Sequence, residues 1–218
     1  PATDGFTPVL QQARKDGIIV GTYWGGGQAD KAANVNVGAN FNQVGEIFAE
    51  AIGRRPGEQH VGLMAQNPTG AAKAFVDGFE AAAKKYPNIS ISAVVYTNDD
   101  ASKALDAANA LLTAHPDINV IASHMGTATQ GAIAAIKAKG LLGKVVYLGN
   151  GLAGGGEQGL KDGAVYRVFV QDLCGAGTAM VDAVTKIASG EKVSAQIDVG
   201  VRMVNKDDYQ TYVKQGWQ

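Results

Sequence analysis

Along this chain, short apolar runs alternate with stretches in which apolar residues return every three or four positions. FTPVLQQARKDG places Phe6, Val9, Leu10 and Ala13 on one helical face, and Gly17 marks its stop. IIVGTYW (18–24) reads as a short strand. NFNQVGEIFAEAIG (40–53) offers Asn40 or Asn42 as N-cap and Val44, Ile47, Phe48 and Ala51 as an apolar stripe. HVGLMA (60–65) predicts a buried strand, and TGAAKAFVDGFEAAAKKYP a helix closed by Pro87. ISISAVVYT is a strand, and DDASKALDAANALLTAHP a helix with an acidic start and a proline stop. INVIAS, KVVYLG and AVYRVFV read as further strands, separated by the helices TATQGAIAAIKAKG and EQGLKDG. AGTAMVDAVTKIASG is a long helix, and VGVRMVNKDDYQTYVKQG a strand followed by a helix.

Apolar strands alternating with helices predict an α/β fold of doubly wound parallel sheets covered on both faces. In such a fold ligands sit outside the carboxyl ends of the strands. The residues that follow the strands are Tyr23 and Trp24, Gln66 and Asn67, Thr97 and Asn98, His124 and Met125, Asn150, and Gln171 with Asp172. They are mostly uncharged hydrogen-bonding groups with two aromatics and a single acid. No acid, base and nucleophile stand together as a hydrolase needs, so no enzyme is expected and no catalytic residue is assigned. His124 is either a satisfied structural histidine or a ligand contact. His60 and His115 fall outside zinc-ligand spacing from it, so no metal site is expected. Trp24, flanked by glycines, is either a core plug or a platform on which a sugar ring stacks. GGGEQG (154–159) matches G-x-G-x-x-G, but the spacer NGLA separates it from its strand, and the next strand ends at Gln171-Asp172, only 12 and 13 residues after Gly159, where the fingerprint needs an acid about twenty residues on. It reads as a flexible loop, and no cofactor is expected.

Composition narrows the classes further. The 218 residues are 46% hydrophobic and 18% charged, with a net charge of −1, so no basic stripe invites nucleic acid. The pairs Arg54-Arg55 and Lys84-Lys85 stand at helix ends and read as solvated surface. Cys174 has no partner for an internal disulfide and reads as a buried structural thiol. No apolar run reaches membrane-spanning length, and the opening PATDGF reads as the interior of a longer sequence.

The segment LLTAHPDINVIASHMGTATQGAIAAIKAKGLLGKVVYLGNG, with the later VYRVFVQDLCGAGTAMVDAVTKIASGEKV, resembles the type I periplasmic sugar-binding proteins, the ribose- and galactose-binding kind. They share their fold with the effector domains of lac-repressor-type regulators. The resemblance implies a receptor of two lobes that closes on a sugar or polyol and delivers it to the membrane permease of an ABC importer in the periplasm. The alternative it leaves is the effector-binding domain of a transcription regulator. It also implies ligand-binding roles for Tyr23, Trp24, Asn40, Lys73, His124, Asn150, Gln171 and Asp172. Asn40 and Lys73 fall where the family carries an aspartate and a cleft arginine; His124 falls on its strand-end asparagine. The lobes it implies are 1–39 with 172–200, and 40–171 with 201–218. The first keeps a single parallel strand, 18–24, and its missing opening segment is expected to come from another chain, a self-associated copy or a longer protein.

Overall fold

A computed structural model describes residues 4–23 and 31–218. Trp24 and the GGGQ stretch lie outside the described residues. With elements numbered in chain order, the large sheet contains β3 (Gln59–Ala65), β4 (Ile89–Tyr96), β5 (Val120–Ser123), β6 (Val146–Asn150), β7 (Val165–Gln171) and β9 (Val201–Val204). Their order is β4-β3-β5-β6-β7-β9, all parallel except β9, which runs antiparallel along β7. The chain steps from β3 outward to β4 and then returns to β5, so the winding reverses between β3 and β5. That reversal opens a crevice at the strands' carboxyl ends.

Residues alternate between the two faces of this sheet. Val61, Leu63 and Ala65 of β3, Val120 and Ala122 of β5, Leu148 of β6 and Phe169 of β7 pack under α2 (Phe41–Gly53) and α3 (Gly70–Ala83). Met64, Ile121, Tyr147, Val168 and Val170 face α4 (Ala101–Ala114), α5 (Thr127–Ala138) and α6 (Gly156–Asp162) instead. Under the first pair of helices lies an aromatic cluster: the Phe48 ring is 5.2 Å from Phe75 and 6.2 Å from Phe169. Helices α2 and α3 meet backbone to backbone. A Cβ on Gly45 would lie 2.2 Å from the Phe75 carbonyl oxygen, and one on Gly78 2.2 Å from that of Asn42. Glycine is required at both positions by the crossing itself.

The smaller sheet corrects an expectation. In place of one strand it holds three parallel ones, β1 (Gly21–Tyr23), β2 (Val35–Gly38) and β8 (Gln196–Asp198), in the order β1-β2-β8. β1 begins at Gly21 rather than at Ile18, and the Val20 carbonyl just ahead of it accepts from the Asn34 and Val35 amides. Every residue of β2 is buried, since it is flanked on both sides and roofed by α7 (Leu173–Ala188), whose Ala176 and Ala183 join the same core as Val35 and Val37. Among the described residues β1 has β2 as its strand neighbour and leaves its other edge open. Nearby α1 (Thr7–Lys15) buries none of its residues, and Phe6 and Val9 are 60% and 65% exposed. The apolar face expected there is therefore not covered. Cys174 differs too: it lies in the first turn of α7 and is exposed rather than buried. The chain ends in α8 (Tyr209–Lys214), and no described helix is long and apolar enough to cross a membrane.

Candidate functional site

The crevice is built around His124, which follows β5 directly. Met125 is held in place as its amide donates to Ser123 Oγ at 3.1 Å, and its sulfur accepts from Thr97 Oγ1 at 3.7 Å. Asn150, the last residue of β6, donates through Nδ2 to the His124 carbonyl oxygen at 2.8 Å. That bond fixes the backbone at the strand end and leaves the imidazole to be positioned by packing.

The packing comes from two phenylalanines. Phe75 on α3 lies 4.8 Å from the imidazole centroid at 36°, and Phe41, the first residue of α2, meets it edge-on at 5.7 Å. The side chain is 6% exposed, and its Nδ1 is buried with no hydrogen-bond partner. Burial pushes its pKa down to about 4, opposed weakly by the Asp99 carboxylate, so the ring is neutral at physiological pH. Asp99 accepts from Thr127 Oγ1 at 2.6 Å, in a turn where Asn98 and Asp99 both take positive φ.

Gln171 ends β7. Its backbone exchanges two hydrogen bonds with Gln218, at 2.7 and 3.0 Å, which ties the chain's last residue to the strand end. Its side chain is 7% exposed, and Oε1 is buried without a partner. Two neutral polar side chains with unspent hydrogen-bonding atoms thus stand at the carboxyl ends of β5 and β7, two strands apart in one sheet. Native proteins rarely leave buried polar atoms unpaired, since each unmade bond costs about 1–3 kcal/mol. A ligand hydroxyl would satisfy them.

The other expected residues separate. Tyr23 at the end of β1 is brought to the start of α7: burial, then the charges of Asp172 and Cys174, raise its phenol pKa. Asp172 itself caps α7, its Oδ1 accepting from the Gly175 amide at 2.8 Å. Asn40 is the N-cap of α2, accepting from the amides of Asn42 and Gln43 at 3.1 and 3.4 Å, and its Nδ2 donates to Asp198 at 3.3 Å. Lys73 is exposed and ion-paired with Asp77 one helical turn on, so it is not gathered with His124. Phe75, two residues further along α3, takes the inward position instead. Phe41 and Phe75 were missed from sequence because an aromatic in a helix reads as core. The adjacency of Phe41 to the strand-end position Asn40 was the available signal. Among the described residues no group of three or more metal-ligating side chains comes together.

The family model of the periplasmic binding protein domain matches residues 2–192. The ribose import binding protein RbsB of Salmonella typhimurium is 29% identical over 182 residues, which are 82% of this chain and 61% of that protein. Its Escherichia coli counterpart is 28% identical over the same lengths. The chain therefore spans about three-fifths of the curated relatives it matches. Among solved structures, GanP, a glucose-galactose binding protein from Geobacillus stearothermophilus, superposes with a TM-score of 0.86 over 93% of this chain and 73% of that one; at 20% identity the likeness is one of fold. An ABC transporter solute binding protein from Agrobacterium vitis with bound D-fucose gives 0.85 at 25% identity, covering 96% and 74%.

Proposed function

We infer the role of this chain from its kinship: it belongs to the periplasmic binding protein domain family, whose model spans residues 2–192, and its role is that of a solute receptor. The ligand is a sugar or related polyol, captured between two lobes in the periplasm and handed to the membrane permease of an ABC importer. The curated relatives are ribose import binding proteins, and the Agrobacterium vitis structure holds D-fucose. No chemistry is performed on the ligand.

One observation carries this reading: the buried, unpaired His124 Nδ1 and Gln171 Oε1 at the carboxyl ends of β5 and β7, two strands apart in one sheet. A neutral imidazole and a carboxamide match hydroxyl groups, each of which both donates and accepts. Phe41, the partly buried phenylalanine beside His124, suits the C–H face of a sugar ring. The lobes of the proposal are 1–39 with 172–200, and 40–171 with 201–218. The division is supported by β1, β2 and β8 falling in the first and the six-stranded sheet in the second. Tyr23, its phenol pKa raised by burial and then by the nearby Asp172 carboxylate, is proposed to stand with Asp172 where the two lobes close. Trp24 is proposed as a stacking residue from its place after β1, and Asn40 and Lys73 as contacts made only on closure. The open edge of β1 and the exposed Phe6 and Val9 support cover by a further segment or a second copy.

Calorimetric titration with aldopentoses, aldohexoses, deoxyhexoses and inositol tests the reading. Binding of at least one is expected, together with its loss in Gln171→Leu. That variant removes an unpaired buried oxygen, so without ligand it is expected to be as stable as the parent or up to about 1 kcal/mol more so. If no sugar or polyol binds, or if Gln171→Leu binds as well as the parent, the reading falls.

A further inference from the structure

Away from the crevice, four of the chain's five arginines gather on one face of the large sheet: Arg54, Arg55, Arg167 and Arg202. Arg54, Arg167 and Arg202 line a groove of about 270 Å³ between α2 and the β7–β9 edge, with Ile47, Ala51 and Met203 among its apolar lining, and Arg55 stands against its Tyr166. Arg54 and Arg55 were expected to be solvated ends of a helix. Arg54 is, but Arg55 is half-buried, its guanidinium 5.2 Å above the Tyr166 ring. Arg167 stands 5.3 Å from the same ring, so two cations share one aromatic side chain. Arg202 lies 5.9 Å from the Trp217 ring and donates to the Val201 carbonyl at 2.8 Å.

The charges here are unbalanced. Glu50 is the acid lining the groove, and it is already paired with Arg54. None of Arg55, Arg167 and Arg202 has a carboxylate within ion-pair reach among the described residues. The Nε of Arg167 is buried with no partner at all. Aromatic contact holds these guanidinium groups in place; Arg55 also donates to Gln59 Oε1 at 2.6 Å, while Arg202 spends one donor on the Val201 carbonyl and Arg167 keeps its Nε unspent, and such forks match carboxylates. The groove lies below the roughly 300–1,000 Å³ of a drug-sized ligand pocket, so it has room for one or two side chains.

We propose that this groove docks an acidic segment of a partner protein, its glutamate or aspartate carboxylates forked by Arg167 and Arg202 and a neighbouring apolar side chain resting on Ile47, Ala51 and Met203. The site is distinct from the crevice, because Arg167 lies near the start of β7 whereas Gln171 ends it. The inference therefore stands or falls separately from the sugar-binding reading.

The test is fluorescence anisotropy of the full chain with labelled Gly-Glu-Leu-Glu-Gly and its Gly-Gln-Leu-Gln-Gly counterpart. The glutamate peptide is expected to bind at low salt and the glutamine peptide not to. Arg202→Gln removes an exposed fork, and Arg167→Lys keeps the charge but loses the fork; each is expected to weaken binding about tenfold. Far-ultraviolet circular dichroism spectra and thermal melts of the same variants, unchanged from the parent, show that they are folded. Three results overturn the proposal: equal binding of both peptides or of neither, undiminished binding by both variants, or displacement of the peptide by inorganic phosphate at equal concentration, which marks a site for free anions.

Discussion

The neutral state of His124 makes an acid-sensitivity prediction that can be worked through. In the unfolded chain a histidine titrates near 6.5; here burial between Phe41 and Phe75 holds the pKa at about 4. Between those values the unfolded chain binds the proton and the folded one does not, so this residue's contribution to stability falls as pH drops. From pH 7 to pH 5 the loss amounts to about 2 kcal/mol, approaching about 3 kcal/mol near pH 4, where the folded ring itself begins to protonate. The measurement is urea unfolding at several pH values for the parent and for His124→Gln. Every other ionisable group is common to both proteins and cancels in the comparison. The parent is expected to lose about 2 kcal/mol more than the variant on going to pH 5. The histidine's ring resonances in the folded protein are expected to stay constant from pH 8 to about 5. Parallel pH curves for the two proteins, or a ring that titrates between pH 6 and 7, would refute the buried, neutral imidazole.

Three further outcomes follow from named contacts. Gly78→Ala forces a methyl to within 2.2 Å of the Asn42 carbonyl oxygen, and a cost of about 1–3 kcal/mol is expected in denaturant unfolding. Gly177→Ala, in the middle of α7 with no described atom within 4 Å of the new Cβ, is expected to stabilise by about 0.5–1 kcal/mol. Asn40→Ala removes the cap of α2 and is expected to cost about 1 kcal/mol, which Asn40→Ser largely restores without setting a second carboxylate against Asp198, as thermal melts of the three proteins will report.

Much of the architecture could be read locally because periodicity is a local property. The strand HVGLMA became β3, the strand INVIAS ended as β5 at Ser123, and α3, α4 and α5 fall within the stretches whose apolar residues recur at helical spacing. Strand ends follow from strand positions, so His124, Asn150 and Gln171 could be named as crevice residues, and the two unpaired buried side-chain atoms at the crevice belong to two of them. Shorter strands were invisible for the same reason. Val35–Gly38 and Gln196–Asp198 are too brief to display a period, and they are strands because they pair with each other across 160 residues of sequence, β2 pairing with β1 on its other side.

Side-chain roles depended on the fold even where positions did not. Asn40 was legible both as a helix cap and as a ligand contact, and the α2 geometry spends its carbonyl on the cap. Lys73 faces water because Asp77, one turn along, offers it a partner, while Phe75 turns inward to His124. Composition placed Arg54 and Arg55 at a helix end, but the nearness of Arg167 and Arg202 arises from α2 lying over the β7–β9 edge. Local pattern determines which way a segment folds. Which side chains meet is decided when α2 and α3, held backbone to backbone at Gly45 and Gly78, close over the sheet and leave Phe41 and Phe75 around a single imidazole.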